Sequence, residues 1–185
     1  MNNIVLFASG SGSNVENIIR HFSENSTVSI AAVFTNKQDA GVIERCKRLE
    51  VPLFYFSEAA YKAPSFISLV QSFSPRLIVL AGFLKKIQPE FVKAFEGKIV
   101  NVHPALLPKY GGKGMYGMHV HKAVVEAKEH ETGITIHWVD EHYDHGAHIA
   151  QFKIALDGSE TAEQVAQKVH RLEYEHFPSI IASLL

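Results

Sequence analysis

Apolar runs and helical stripes alternate along the first half of the chain. Ile4–Ala8 is a continuous β-rich run, and Val15, Ile18, Ile19 and Phe22 then recur at helical spacing before the near-continuous run Val28–Phe34. That is a strand, helix, strand unit. The alternation continues with Val42, Ile43, Cys46 and Leu49 on one helical stripe, the short run Pro52–Phe56, a helix over Ser65–Phe73, a strand over Leu77–Ala81, a helix over Pro89–Phe95 and a strand over Lys98–Val102. Strands that are apolar throughout must be covered on both faces, so the pattern predicts an α/β protein with a mostly parallel central sheet and helices on both sides.

The period changes after residue 103. In Thr132–Val139 the residues Ile134, Ile136 and Trp138 alternate with Thr135, His137 and Val139, and the next run, His148–Leu156, begins nine residues after Val139. So short a connection predicts an antiparallel pair, and the sheet ends mixed. The last element starts at about Thr161, an N-cap with Glu163 and Gln164 in the first turn. It runs through Val165, Val169 and Leu172 to a kink expected near Pro178.

With 185 residues, 46% hydrophobic and 20% charged, and no repeat or linker-like tract, the chain reads as one domain over 1–185. Within it a phosphate-binding βα half, 1–100, precedes a half, 101–185, with the catalytic loop and a closing helix. A net charge of −1 provides no basic field for a nucleic-acid backbone. No window approaches the roughly 20 apolar residues that span a bilayer, and the lone Cys46 and the absence of a signal-like start in Met1–Phe7 point to the cytoplasm. Eleven histidines are present and ten lie at or after His103, which places most of the titrating chemistry in the second half.

Two segments carry candidate chemistry. Ser9-Gly10-Ser11-Gly12-Ser13-Asn14 joins the first strand to the first helix, where free N–H groups and the positive helix end hold anions. Val15 stands where a dinucleotide fingerprint needs its third glycine, Asn36 replaces the acidic ribose ligand, and no Gly-Lys-Ser/Thr follows. Two readings fit: a small phosphate held by Gly12, Ser13 and Asn14, or a tight turn with Asn14 as N-cap. The second segment, Asn101-Val102-His103-Pro104, closes a strand with Asn101 and His103 on one face. A carboxamide and an imidazole at the carboxyl end of a parallel strand suit attack on a carbonyl carbon, the amide donating to the oxyanion and the imidazole moving a proton. The alternative is that both satisfy backbone groups in the turn to Pro104. Asp144, in the polar loop 140–146, is a carboxylate partner expected to favour the imidazolium and raise its pKa. Neither His119/His121 nor His142/His145/His148 has the spacing of a zinc site, so no metal is expected, and Cys46 lies on an apolar stripe.

These motifs, together with Val79-Leu80-Ala81-Gly82-Phe83, Ala105-Leu106-Leu107-Pro108 and the stretch from Thr132-Gly133 to Asp144-His145-Gly146, resemble the folate-dependent formyltransferases, and among them the glycinamide ribonucleotide branch. The resemblance covers essentially the whole chain. It implies a Rossmann-like formyltransferase fold and transfer of formyl from 10-formyltetrahydrofolate, the cosubstrate, to the amine of 5-phosphoribosylglycinamide, a step of de novo purine synthesis. It further implies Asn101, His103 and Asp144 as catalytic residues, and Gly12, Ser13, Asn14, Gly82, His170 and Glu173 on the acceptor. Leu84, Lys85, Lys86, Ile87, Asn101, Asp140 and Glu141 fall on the folate, with Lys85 meeting its glutamate tail. The enzyme it implies works on small molecules as a monomer or homodimer, without metal, nucleic acid or membrane.

Three features depart from the family pattern. The stretch Tyr110–Met118 is longer than usual and carries four glycines, His145 follows Asp144 where glycine is more usual, and no arginine stands in Ser57–Pro64. A formyltetrahydrofolate hydrolase shares the Asn, His and Asp set but is expected to carry a domain before Ile4. A methionyl-tRNA formyltransferase is expected to carry a basic C-terminal domain. A noncatalytic phosphosugar-binding module is the remaining alternative, and it predicts ligand binding without folate turnover.

Overall fold

The apolar runs fold as predicted. A computed structural model describes residues 1–185. Its elements are β1 (Asn2–Phe7), α1 (Ser13–Phe22), β2 (Val28–Thr35), α2 (Val42–Arg48), β3 (Leu53–Tyr55), α3 (Glu58–Lys62), α4 (Pro64–Ser72), β4 (Leu77–Leu80), α5 (Pro89–Ala94), β5 (Ile99–His103), α6 (Met118–Glu126), β6 (Glu131–Trp138), β7 (His148–Ala155) and α7 (Ala162–Ser183). The strands hydrogen-bond in the order β3-β2-β1-β4-β5-β6-β7, a seven-stranded mixed sheet with helices around it. The chain divides into two compact units, residues 1–100 with 182–185, and residues 101–181.

In the first unit β1 pairs in parallel with β2 and β4, and β2 with β3. Ile4, Val5, Leu6 and Phe7 are fully buried, as a strand covered on both faces requires. Phe7 stacks on Phe34 at 5.1 Å and meets the edges of Phe56, Phe66, Phe83 and Phe91. Burying each such ring contributes about 2–3 kcal/mol, and this cluster is the main core of the unit. β1 ends against it, so the glycine-rich turn leaves from a rigid base.

In the second unit β6 and β7 form the predicted antiparallel pair, with Thr132 opposite Ile154 and Thr135 opposite Gln151. Gly133 is required there, because a Cβ would fall 2.8 Å from Leu106 Cδ2 and overlap the Phe152 carbonyl. The register shifts between Ile136 and His137, at the end of the strand nearest the Asp144 loop. Thr161 caps α7 as expected, in a reciprocal box: its N–H donates to Gln164 Oε1 and its Oγ1 accepts the Gln164 N–H.

Two details differ from the sequence expectations. α3 is an added turn, started by Ser57, whose Oγ accepts the Ala60 N–H, and stopped by Pro64. α6 was hidden because a buried histidine, His121, occupies its inner face beside Val120 and Val124. α7 continues through Pro178, the position where the sequence places a kink, and Phe177 and Ile181 beside it are fully buried.

Candidate active site

The glycine-rich turn belongs to the first unit. Gly12, at φ +77°, is the N-cap of α1, so Asn14 is not the cap; its side chain is buried in the first turn of the helix. A Cβ on Gly12 would lie 2.7 Å from Val42 Cα, so position 12 admits no side chain. Ser9, 1% exposed, joins the turn to the end of β4: its N–H donates to the Gly82 carbonyl, its Oγ donates to Asn36 Oδ1 and accepts the Leu84 N–H. Gly12, Ser13, Gly82 and Leu84 are thereby held in one neighbourhood. The sequence marked Ser9 only as the start of the turn and Asn36 only as the lack of an acidic ribose ligand, because their roles arise from contacts 27 and 75 residues away.

The segment that follows β4 is pinned in the same way. Tyr61 donates its hydroxyl to the Lys86 carbonyl, and Gln88 donates its amide to the Tyr61 carbonyl. Lys85 pairs with Glu58 and sits 5.8 Å from the Tyr61 ring centroid. That exposed ion pair is readily exchanged for another carboxylate.

The second unit gathers Asn101, His103 and Asp144. β5 delivers Asn101 and His103 on alternate positions, with His103 3% exposed. Asp144 takes a left-handed backbone, φ +56°, in a loop tied by the Trp138 N–H to the Ala147 carbonyl. Gly146 lies too close to Trp138 to carry a Cβ, so the loop is pressed on the end of β6. Asp144 Oδ2 lies 3.5 Å from His103 Nδ1 and accepts the Gly112 N–H at 2.9 Å.

His137, a residue the sequence reading left outside the site, completes this group. Its Nδ1 lies 2.8 Å from the Trp138 carbonyl and therefore carries the proton in the neutral ring. Its Nε2 then accepts from the Asn101 amide at 3.1 Å, which fixes which end of that carboxamide is the donor. The same Nε2 is 3.6 Å from Asp144 Oδ1. The alternation of β6 was the available signal, since it places His137 on the face of Thr135, whose hydroxyl donates to the Ala105 carbonyl and accepts the Leu107 N–H.

Electrostatics differ from the sequence expectation for His103. Burial, the largest influence, holds its pKa below the ordinary value, although Asp144 and the Tyr110 carbonyl both favour the imidazolium. Burial also opposes ionisation of Asp144, yet His103 and the Gly112 N–H help to keep its carboxyl below the usual range. His103 Nε2 lies 2.7 Å from the Tyr110 carbonyl, so both ring nitrogens face acceptors and the protonated ring satisfies both.

The remaining expected residues are placed as follows. His170 Nδ1 lies 3.6 Å from Glu173 Oε2 on α7, with His170 exposed and Glu173 buried. Asp140 Oδ1 accepts the His142 N–H, and Glu141 is exposed in the same loop. His121 on α6 is buried, its Nδ1 has no hydrogen-bond partner, and burial pulls its pKa down to about 4, with His170 and His103 adding to the shift. No group of three or more His, Cys, Asp or Glu side chains is arranged to hold a metal, and no helix is long and apolar enough to cross a membrane.

A sheet of this order, with a carboxamide, an imidazole and a carboxylate at its carboxyl ends, defines a class. The chain belongs to the formyl transferase family, whose profile matches residues 2–181. It is 37% identical over its full length to phosphoribosylglycinamide formyltransferase of Bacillus subtilis, covering 95% of that protein. It is 35% identical to the chloroplastic enzymes of that name from Arabidopsis thaliana and Vigna unguiculata, spanning 64% and 60% of their lengths. Among solved structures, glycinamide ribonucleotide transformylase 1 of Geobacillus kaustophilus superposes with a TM-score of 0.90 at 34% identity, with 100% of this chain and 99% of that one covered.

Proposed function

We propose that this chain transfers the formyl group of 10-formyltetrahydrofolate to the amine of 5-phosphoribosylglycinamide, in de novo purine synthesis. The observation that carries the reading is the group of Asn101, Asp144 and the two buried histidines His103 and His137 in a chain of this family. The names of the bacterial and plant relatives support the choice of acceptor.

The chemistry follows from the residues. The acceptor amine attacks the formyl carbon, and the carbonyl oxygen becomes an oxyanion. Asn101, with one amide N–H on His137 and one to spare, donates to that oxyanion. The His103 imidazolium donates the second hydrogen bond once Nε2 exchanges the Tyr110 carbonyl for the substrate oxygen. Tyr110 opens the stretch in which Gly112, Gly114 and Gly117 all take positive φ, so its backbone has the freedom to make the exchange. The attacking nitrogen becomes positively charged and gives up a proton, through water, to Asp144. Asp144 passes that proton, again through water, to the folate N10 as the C–N bond to it breaks, and the site returns to its starting protonation.

Gly12, Ser13 and Asn14 bind the acceptor phosphate, with Gly82, His170 and Glu173 contributing to acceptor binding. Leu84–Ile87, Asp140 and Glu141 bind the folate, and Lys85 leaves Glu58 for the carboxylates of its tail. The enzyme acts as a monomer or homodimer in the cytoplasm, a reducing compartment that suits the buried, unpaired Cys46. The test is a spectrophotometric assay of donor loss with and without 5-phosphoribosylglycinamide. Acceptor-dependent turnover is expected. Turnover without acceptor identifies a hydrolase instead, and binding without turnover a noncatalytic module.

A further inference from the structure

Two successive carbonyl groups of the glycine-rich turn are drawn toward α2. Gly10 O accepts the Val42 N–H at 3.2 Å, and Ser11 O accepts the Arg45 Nε–H at 2.8 Å. Both peptides are trans, and in a planar trans peptide the N–H points opposite to the C=O. The N–H groups of Ser11 and Gly12 therefore face away from α2, and neither donates to another backbone group. With the left-handed Gly12 between them and the first amides of α1, they form a run of donors suited to an anion.

Arg45 is itself aimed. One guanidinium nitrogen, Nη1, pairs with Glu16 on α1 while Nε reaches the Ser11 carbonyl. Glu16 also accepts from Arg20 at 2.8 Å and Arg48 at 2.7 Å. Its side chain is 13% exposed, and the hydrogen bonds from Arg20 and Arg45 hold its carboxyl down at about 2, so the anchor stays ionised. A planar fork with separated donors does both tasks at once, whereas an ammonium does one.

We propose that Arg45, oriented by Glu16, is a positioning residue for the acceptor: by holding the Ser11 carbonyl on the α2 side it turns the Gly12 N–H toward the phosphate. The proposal rests on the phosphate reading of this turn. Arg45 Nε and Nη1 are both engaged within the chain, on the Ser11 carbonyl and on Glu16. Arg45 acts through the backbone.

The experiment measures the acceptor KM, the inhibition constant of inorganic phosphate against the acceptor, and kcat. Arg45→Met is expected to raise the first two together by about tenfold, the loss of one well-placed donor to a charged group, with kcat and the formyl-folate KM unchanged. Arg45→Lys, which keeps the charge and guards against misfolding of the Met variant, is expected to fall between. Arg20→Met removes a cation from the same carboxylate without touching the turn, and is expected to match the wild type. Wild-type constants in both Arg45 variants overturn the proposal, as does an equal rise in Arg20→Met. If inorganic phosphate fails to compete with the acceptor in the wild-type protein, the phosphate reading falls and this proposal with it.

Discussion

Replacing Asp144 by Asn removes the one carboxylate beside His103 while keeping an oxygen able to accept the Gly112 N–H. The closest approach is 3.5 Å, but the imidazolium charge is spread over two nitrogens and the carboxylate charge over two oxygens. An effective separation of about 5 Å at an effective dielectric constant of about 20 gives an interaction of about 3 kcal/mol, or about two pKa units. His103 already lies below its ordinary value, so the substitution lowers it further. If the imidazolium is the active form, kcat falls as pH rises through the His103 pKa, and in Asp144→Asn that fall begins about two units lower. Above both pKa values the variant is slower by about a hundredfold, less whatever the more acidic imidazolium gains as a donor. Below the wild-type pKa the deficit narrows, because the wild-type rate has levelled while the variant continues to rise. The measurements are kcat from pH 5 to 9 and the His103 ring titration followed by NMR. A deficit that stays constant across the range together with an unmoved ring titration would refute the assignment of Asp144 to the charge state of His103.

Other outcomes follow from the same geometry. His103→Ala should lose about 10²–10⁴ in kcat with the acceptor KM retained, read by steady-state kinetics; near wild-type turnover would remove His103 from the chemistry. Acid stability should show the buried histidines: His121 binds its proton at about 4 when folded but near 6.5 when unfolded, so the unfolded chain holds more protons between those values and stability falls as pH drops through that window, by up to about 3 kcal/mol. His103 acts with the same sign. His121→Leu should flatten the dependence seen in denaturant titrations at pH 7.5, 5.5 and 4.5, and an unchanged slope would place the acid sensitivity elsewhere. Gly133→Ala drives a Cβ into the Phe152 carbonyl, which only a shift of β6 against β7 relieves, so a loss of about 3 kcal/mol or more is expected in thermal unfolding.

Most of the architecture was legible in the order of residues, for a physical reason. Strands buried on both faces must be apolar throughout and surface helices must be apolar on one stripe, so β1, β2, β4 and α1 announce themselves by period alone. The elements that escaped lack that signature. α3 is one capped turn between Ser57 and Pro64, too short for a period to show, and α6 buries a histidine where the pattern asks for an aliphatic side chain.

The candidate site divides along the same line. Residue type and local spacing singled out Asn101, His103, Asp144 and the Ser9–Asn14 turn, because a carboxamide and an imidazole two residues apart share a strand face and glycines free a strand-to-helix turn. What each group does depended on neighbours that no local pattern encodes. Burial outweighs the charge of Asp144 and lowers the His103 pKa, His137 fixes the donor end of Asn101 across 36 residues, and Arg45 reaches the Ser11 carbonyl across 34. Hydrophobic period is a one-dimensional property of the chain. Desolvation, the orientation of peptide planes and the pairing of distant side chains exist only once the tertiary structure has brought those groups together.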